Sequence, residues 1–139
     1  HIAAKKINLT TSPQTFEAED AGRKGPTVAK NNGGYTGKGF TDFQADSGEH
    51  LSWLIQIKDA GEYSLSFRYA LAGGNRPLQL KVNGKVIAKA LPFISTDSWL
   101  NWNPISIDAP LKVGLNEIRL ESTGARGPNV DSLTISTKP

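Results

Sequence analysis

Residues 61–71 read GEYSLSFRYAL, and this stretch decides the fold class of the chain. Large apolar side chains occupy every second position, and small or charged residues fill most of the positions between them. An alternation with a period of two is typical of a β-strand that has one buried face. The stretch therefore predicts a strand that directs four side chains into a core: Tyr63, Leu65, Phe67 and Tyr69.

The same alternation recurs along the chain. It predicts further core faces made of Leu51, Trp53, Ile55 and Ile57, of Leu78, Leu80 and Val82, of Ile118 and Leu120, and of Leu133 and Ile135. The pair Asn83-Gly84 predicts a two-residue hairpin turn of type I′, since both positions of that turn need positive φ. Short strands separated by Gly, Asn and Pro predict an all-β, single-domain antiparallel β-sandwich of the jelly-roll type. We expect residues 14–139 to form the domain and residues 1–13 to be a linker or an added segment.

Composition excludes several classes of function. The chain has 139 residues and no Cys, so it has no cysteine-based zinc site and no thiol nucleophile. The net charge is only +3, and its basic residues are scattered instead of clustered, which argues against a nucleic-acid-binding protein. No apolar run approaches the roughly 18 residues of a membrane span. We expect neither nucleic acid nor a membrane as a partner.

An enzymatic function is the weaker interpretation. The chain has two histidines, and His50 has no nucleophile motif near it. A glycosidase needs two carboxylates at a controlled separation, and sequence alone pairs none of the acids across a cleft. A hydrolase or lyase that uses Glu17, Glu19 or Asp131 stays open as an alternative. We expect a protein that is not an enzyme.

Three acids near the two ends of the domain suggest a metal site. In QTFEAED, Glu17 and Glu19 are two positions apart, so a strand would direct both side chains to the same side. Asp131 has the parity of Leu133 and Ile135, and a carboxylate near a core is costly unless it is neutralised. A calcium ion would neutralise all three acids. An arginine partner, or a pair of exposed acids, would explain them equally well.

Aromatic and polar residues in turn-rich stretches suggest a sugar site. In an extended SWLNWNPISI segment, Trp99 would pack inward and Trp102 would face outward, whereas Tyr35 lies in the stretch NNGGYTGKGF, which has four glycines. Flat rings of this kind pack on sugar rings, and Arg76 and Asn129 would bind hydroxyl groups. Each residue also has an ordinary explanation: Tyr35 as a loop plug, Arg76 as a solubility residue, Asn129 as a turn former.

The order of the motifs resembles a known family. FEAED, GGYTGKGFTDF, GEYSLSFRYALAGGNRPLQLKVNG, SWLNW and GLNEIRLESTGARGPNVDSLTIS follow one another as in the carbohydrate-binding modules of families 6, 35 and 36, and family 35 is the most similar. The resemblance covers residues 14–136. It implies a β-sandwich that is attached to a secreted polysaccharide-degrading enzyme and binds sugars without cleaving them.

The resemblance also implies roles for individual residues. Glu17, Glu19 and Asp131 match the ligands of a structural calcium ion, helped by backbone carbonyls near Lys38. The residues that match sugar contacts of the family are Tyr35, Trp102, Asn129 and Arg76. Arg76 matches a position that contacts the ligand carboxylate in members that bind uronic acids. Those members have a second calcium ion at the sugar site, and Asn31 and Asn32 are the residues expected near it.

These observations favour an anionic ligand. Arg76 is permanently charged and has a planar fork suited to a carboxylate. We therefore expect a secreted, monomeric module that binds glucuronic acid or unsaturated galacturonic acid in a calcium-dependent loop site, next to a catalytic domain in the same polypeptide. The alternative is a module that binds neutral xylan, mannan or galactan.

Overall fold

The structure is a computed structural model that describes residues 1–138, and within them the chain is almost entirely strand. Twelve strands and one short 3-10 turn (Ala18–Asp20) are formed in this range. The strands are β1 (Lys6–Asn8), β2 (Gln14–Glu17), β3 (Gly22–Lys24), β4 (Thr27–Ala29), β5 (Phe40–Asp42), β6 (Ser47–Ile57), β7 (Gly61–Ala70), β8 (Leu78–Val82), β9 (Lys85–Leu91), β10 (Asn103–Leu111), β11 (Gly114–Thr123) and β12 (Asn129–Thr137). Pro139, the last residue of the predicted domain, lies outside the described residues.

The strands form two facing sheets. The first has the order β1-β6-β11-β8-β9, with β3 also paired to β6, and the second has the order β10-β7-β12-β5-β4, with β2 also paired to β12. β1 runs parallel to β6, and the other strand pairs of the described chain are antiparallel. The prediction of a jelly-roll β-sandwich is confirmed.

The core lies between the sheets and is built from the alternating positions that the sequence predicts. All the residues named above for the core faces are buried, from Leu51 on β6 to Ile135 on β12. The hairpin between β8 and β9 also has the predicted turn, with φ of 54° at Asn83 and 78° at Gly84. The alternation identifies the side chains that face the core, and the turn defines the hairpin of β8 and β9.

The prediction that residues 1–13 are a linker needs correction. β1 pairs with the long strand β6, with Ile7 opposite Ile55. Ile7 packs against the core while its neighbours Lys6 and Asn8 are exposed. The alternation in KIN is three residues long, which is too short to be recognised in the sequence.

Among the described residues, no helix is both long enough and apolar enough to cross a bilayer.

Candidate functional site

Glu17, Glu19 and Asp131, the acid cluster, meet on one side of the second sheet. Each contributes a carboxylate oxygen, and these three oxygens all lie within 4.8 Å of one another. Glu17 ends β2 and Glu19 lies in the 3-10 turn, so the two are not on one continuous strand as predicted. The turn replaces the strand and still brings both side chains to Asp131.

A β-bulge decides where Asp131 points. The register of β12 on β7 shifts between Val130 and Ser132, which leaves Asp131 as the extra residue. Its carboxylate contacts Arg68, whose side chain leaves β7 on the face opposite to Phe67. Asp131 is therefore fully buried, but on the outer face of the sheet and not in the core that its parity predicts.

The loop between β4 and β5 (residues 30–39, the glycine-rich loop) covers the acid cluster. The backbone N–H of Thr36 donates to both carboxylate oxygens of Asp131 at 3.1 Å, and its hydroxyl group lies 2.7 Å from Oε1 of Glu17. The backbone N–H of Lys38 donates to Oε2 of Glu19 at 2.7 Å. The loop thus contacts each of the three acids through N–H or O–H donors.

Gly37 is required where the loop passes the cluster. It has a φ of +65°, and a Cβ there would lie 2.3 Å from Oε2 of Glu19 and 2.7 Å from Oε1 of Glu17. Only glycine allows this backbone conformation together with so close an approach. The carboxylates and the loop therefore form one compact unit.

The charge of the acid cluster is only partly neutralised. Nη1 of Arg68 lies 2.7 Å from Oδ2 of Asp131 and is the one cation paired with the cluster among the described residues. Burial, and then the charge of Asp131, raises the pKa of Glu17, although a hydrogen bond from Thr36 opposes the shift. Burial is likewise the main cause of the raised pKa of Glu19. Two negative charges remain, which is the charge that one divalent cation neutralises.

The donor set fits calcium. Oε1 of Glu19 is buried without a hydrogen-bond partner, which is costly unless another group binds it. Calcium binds six to eight hard oxygen ligands at about 2.3–2.6 Å, so three carboxylates this close together match half of its coordination shell. The observed contact of Lys38 comes from its backbone N–H, whereas the family resemblance implies a backbone carbonyl ligand near this residue.

A polar cavity of about 340 Å³ lies between the loops next to this cluster. It brings together four residues that the sequence predicts for the site: Asn31, Asn32, Arg76 and Asn129. Three further residues line the cavity without having been predicted for the site from the sequence: Asp42, Trp99 and Arg126. We call this the loop cavity.

Trp99 is the aromatic residue among the described lining residues of the loop cavity. Cζ of Arg76 lies 5.4 Å from the centroid of the Trp99 ring, in a cation–π contact that restrains the guanidinium. Nη1 of Arg76 also lies 3.5 Å from the carbonyl oxygen of Gly127. Arg76 therefore enters the cavity beside an aromatic ring, with part of its fork free for a ligand.

Tyr35 and Trp102 do not line this cavity. The rings of Tyr35 and Trp102 both pack on the buried Phe40, with centroids 5.8 Å and 5.2 Å from its centroid. Nε1 of Trp102 donates to the carbonyl oxygen of Gly33 at 2.8 Å. Residues 98–100 form turns and are not extended, yet Trp99 packs against the core as its parity predicts. Trp102 therefore supports the glycine-rich loop, and Trp99 faces the cavity.

The cavity is not arranged for hydrolysis of a glycosidic bond. Asp42 is the one carboxylate among its described lining residues, and its Oδ1 atom lies 3.4 Å from Nη2 of Arg126. Glycosidases of the usual type need two carboxylates, one as an acid and one as a base or nucleophile. His50, the histidine of the sequence analysis, lies on β6 in the other sheet.

A larger cavity, of about 680 Å³, lies at the opposite end of the sandwich. Its lining is mostly apolar and includes Val82, Ile87 and Leu111, with no aromatic side chain among the described residues. It borders Gly61, at the start of β7, whereas Asn129 of the loop cavity pairs with Ala70 at the end of that strand. We take the smaller cavity as the site because it has a flat ring and convergent polar groups.

Comparison with known proteins identifies the family. The sequence matches the family model for "Carbohydrate binding module (family 35)" over residues 14–137. A family 35 module from Clostridium thermocellum is 35% identical and has a TM-score of 0.87, over 92% of this chain and 100% of that one. A module described as Xyl-CBM35 in complex with a glucuronic acid containing disaccharide is 29% identical with a TM-score of 0.79, over 90% of this chain and 94% of that one.

The relatives also include large enzymes. The cycloisomaltooligosaccharide glucanotransferase of Niallia circulans is 39% identical over 141 residues, which cover 98% of this chain and 14% of that enzyme. The chain spans from 10% to 19% of the length of the curated relatives that it matches. Its family therefore occurs as one domain within larger carbohydrate-active polypeptides. The chain belongs to carbohydrate-binding module family 35 and is a non-catalytic carbohydrate-binding domain.

Proposed function

We propose that this module binds a uronic acid, either glucuronic acid or unsaturated galacturonic acid, in the loop cavity. One observation carries the proposal: the guanidinium groups of Arg76 and Arg126 enter the same cavity as the Trp99 ring. A ring stacks on the C–H face of a sugar, and a guanidinium fork pairs with a carboxylate through two parallel hydrogen bonds. The side-chain amides of Asn31, Asn32 and Asn129 supply donors and acceptors for hydroxyl groups.

Calcium dependence follows from the position of the glycine-rich loop. The loop contacts the acid cluster through Thr36 and Lys38, and a few residues earlier it carries Asn31 and Asn32 into the loop cavity. A calcium ion at the acid cluster supplies the positive charge that relieves the repulsion among the three carboxylates. With that repulsion relieved, the loop keeps the conformation in which its asparagines line the cavity.

The relatives support a carbohydrate ligand and leave two classes of ligand to compare, anionic and neutral sugars. The Xyl-CBM35 module was described with a disaccharide that contains glucuronic acid, which agrees with the anionic ligand. The name of the glucanotransferase relative refers to cycloisomaltooligosaccharides, which are neutral sugars. The rival proposal is therefore a neutral ligand: xylan, mannan, galactan or an α-linked glucan. The two arginines in the cavity favour the uronic acid.

The biological role follows from weak binding of the sugar and from attachment of the module to a catalytic domain. A shallow site with one ring corresponds to a Kd on the order of micromolar to millimolar, or about −8 to −4 kcal/mol. Such a module holds a tethered catalytic domain near its polysaccharide by raising the effective concentration. We place it in a secreted polysaccharide-degrading enzyme, since the relatives are domains of carbohydrate-active enzymes.

The test is a calorimetric titration of the domain with glucuronic acid, first in calcium and then in excess chelator. Glucose, isomaltotriose and xylan, mannan and galactan oligosaccharides are the neutral comparisons. We expect binding of glucuronic acid in calcium, loss of that binding in chelator, and a weaker or absent response to the neutral sugars. Tight binding of a neutral oligosaccharide with no response to glucuronic acid would establish the rival.

Arg76→Gln is the matching variant. It removes the charge and leaves a polar side chain beside Trp99, so we expect a loss of affinity of about tenfold or more for glucuronic acid. Lys85→Gln is the control because it removes the same charge from the exposed first residue of β9, at the other end of the sandwich. Equal losses in both variants would point to the overall charge of the protein and not to the cavity.

A further inference from the structure

Arg126 is fixed in the loop cavity by the segment that follows β5. Its Nε atom donates to the carbonyl oxygen of Phe43 at 2.6 Å, and Nη2 lies 3.4 Å from Oδ1 of Asp42. Its backbone N–H donates to Oδ1 of Asp46 at 3.1 Å. The guanidinium is therefore held at two of its nitrogen atoms and lines the cavity in one orientation.

The segment that holds Arg126 is itself anchored. The side chain of Glu49 is buried, and its Oε1 atom accepts hydrogen bonds from the backbone N–H groups of Gln44 and Ala45, at 2.6 Å and 2.8 Å. The backbone of residues 43–46 is thus fixed to β6. An arginine held by such a segment loses little conformational entropy when it binds an anion, which is the condition for a specific contact.

The donor set of the loop cavity does not fit the second calcium ion that the family resemblance implies. Calcium sites in proteins combine carboxylates with neutral oxygens, and beside its three asparagines this cavity has one carboxylate, Asp42, among the described lining residues. That carboxylate already faces Arg126. Two guanidinium groups in the same cavity would also repel a divalent cation. Asn31 and Asn32 therefore lack the negative partners that an ion at this position requires.

We propose that Arg126 takes the place of a second metal ion in this site: it neutralises Asp42 and presents a fixed positive charge to the ligand. The inference deepens the proposed function and rests on it for the identity of the ligand, since the charge of Arg126 would meet the carboxylate of the uronic acid together with Arg76. The wild-type domain then binds one calcium ion, at the acid cluster, and the charge of its sugar site is independent of metal.

The first arm of the test counts calcium ions, without any sugar, by calorimetric titration of the chelator-treated domain. We expect one ion for the wild type, one for Asp42→Asn and none for Asp131→Asn. Two ions for the wild type and one for Asp42→Asn would overturn the inference. This arm gives its answer whether or not the domain binds a uronic acid, so it separates this inference from the proposed function.

The second arm measures the preference for glucuronic acid over its uncharged methyl ester, with calcium present throughout. Arg126→Gln should lower the affinity for the acid by about tenfold while the affinity for the ester stays within about twofold. Arg126→Lys should keep most of the preference, and Lys85→Gln should keep all of it. An unchanged preference in Arg126→Gln would overturn the inference, and failure of the wild type to bind either ligand would refute the proposed function instead.

Discussion

Nη1 of Arg68 lies 2.7 Å from Oδ2 of Asp131, a side chain with no exposed surface. Within residues 1–138 this ion pair leaves Glu17 and Glu19 without a cation of their own. The sequence leaves calcium and an arginine partner as equal explanations of the three acids. The arginine is present, but one guanidinium neutralises one of the three carboxylates. The remaining two charges and the unpaired Oε1 of Glu19 are the reasons to expect a calcium ion as well.

Calcium should therefore stabilise the folded domain. Binding to the native state alone adds about 2.7 kcal/mol to the free energy of unfolding when free calcium exceeds the Kd about a hundredfold. For a domain of this size we expect a rise in Tm of about 5 °C or more between chelator and calcium. Thermal unfolding monitored by circular dichroism measures the Tm in chelator and in calcium.

Asp131→Asn should abolish the effect of calcium on the Tm. It removes a ligand charge and also breaks the ion pair with Arg68, so its Tm should be low under both conditions. Asp59→Asn is the control, because Asp59 is an exposed acid in the turn between β6 and β7. If Asp131→Asn still showed the full calcium response, the ion would bind elsewhere on the protein.

Gly37→Ala should be the most damaging substitution in the glycine-rich loop. The new Cβ would overlap the carboxylates of Glu17 and Glu19, and the residue would keep an unfavourable φ of +65°. We expect a loss of about 1–3 kcal/mol in the free energy of unfolding, together with weaker calcium binding. Chemical denaturation with and without calcium measures both effects.

Gly48→Ala provides the control for backbone strain. Gly48 has a φ of +83°, and apart from Gly48 itself and its two chain neighbours no described atom lies within 4 Å of the position of an added Cβ. It therefore introduces the strain of a positive φ without a steric overlap. A loss as large in Gly48→Ala as in Gly37→Ala, with unchanged calcium binding in both, would contradict the role that we give to Gly37.

The fold was predictable because the sequence encodes it locally. The period of two in β6, β7, β8, β11 and β12 identifies the buried faces, and the turn at Asn83-Gly84 fixes one hairpin. Each of these signals is contained in a short stretch of neighbouring residues. β1 was missed because three residues are too few to show a period, and its place depends on pairing with β6.

The site was predictable only in part because it depends on contacts between distant segments. Parity fails for Asp131 because a β-bulge is invisible in the sequence. The turns of residues 98–100, which place Trp99 in the lining of the loop cavity, are equally invisible. Arg68 and Asp131 are 63 residues apart, and no local pattern links them. Arg126 could have been suspected from its place in GARGPN beside Asn129, but its pairing with Asp42 requires the folded structure.

Trp99 and Trp102 should respond differently to substitution. Trp99→Ala removes the flat surface of the loop cavity, so we expect ligand affinity to fall by about tenfold or more. Trp102→Phe keeps a ring next to Phe40 but loses the hydrogen bond to Gly33, so stability should fall by about 1 kcal/mol. Titration and chemical denaturation of both variants check this. A larger loss of affinity in Trp102→Phe than in Trp99→Ala would indicate that Trp102, and not Trp99, contacts the sugar.

His50 should make the stability of the domain depend on pH. Burial, followed by the charge of Arg119, lowers the pKa of His50 below its usual value of 6.5. Below pH 6.5 the unfolded chain therefore binds a proton more readily than the folded chain, and the free energy of unfolding falls as the pH falls toward the lower pKa of the folded state. The slope cannot exceed about 1.4 kcal/mol per pH unit, which is the limit for a single proton.

Chemical denaturation of the wild type and of His50→Gln between pH 7.5 and 5.5 isolates this contribution. Excess calcium is kept throughout so that the acid cluster stays neutralised, and His1, whose ring centroid lies 6.2 Å from that of His50, is present in both proteins. The neutral glutamine binds no proton, so the curve of His50→Gln should be flatter over this range. Parallel curves for the two proteins would show that His50 has the same pKa in the folded and unfolded states, and that its partial burial between β3 and β11 has no cost for the charged form.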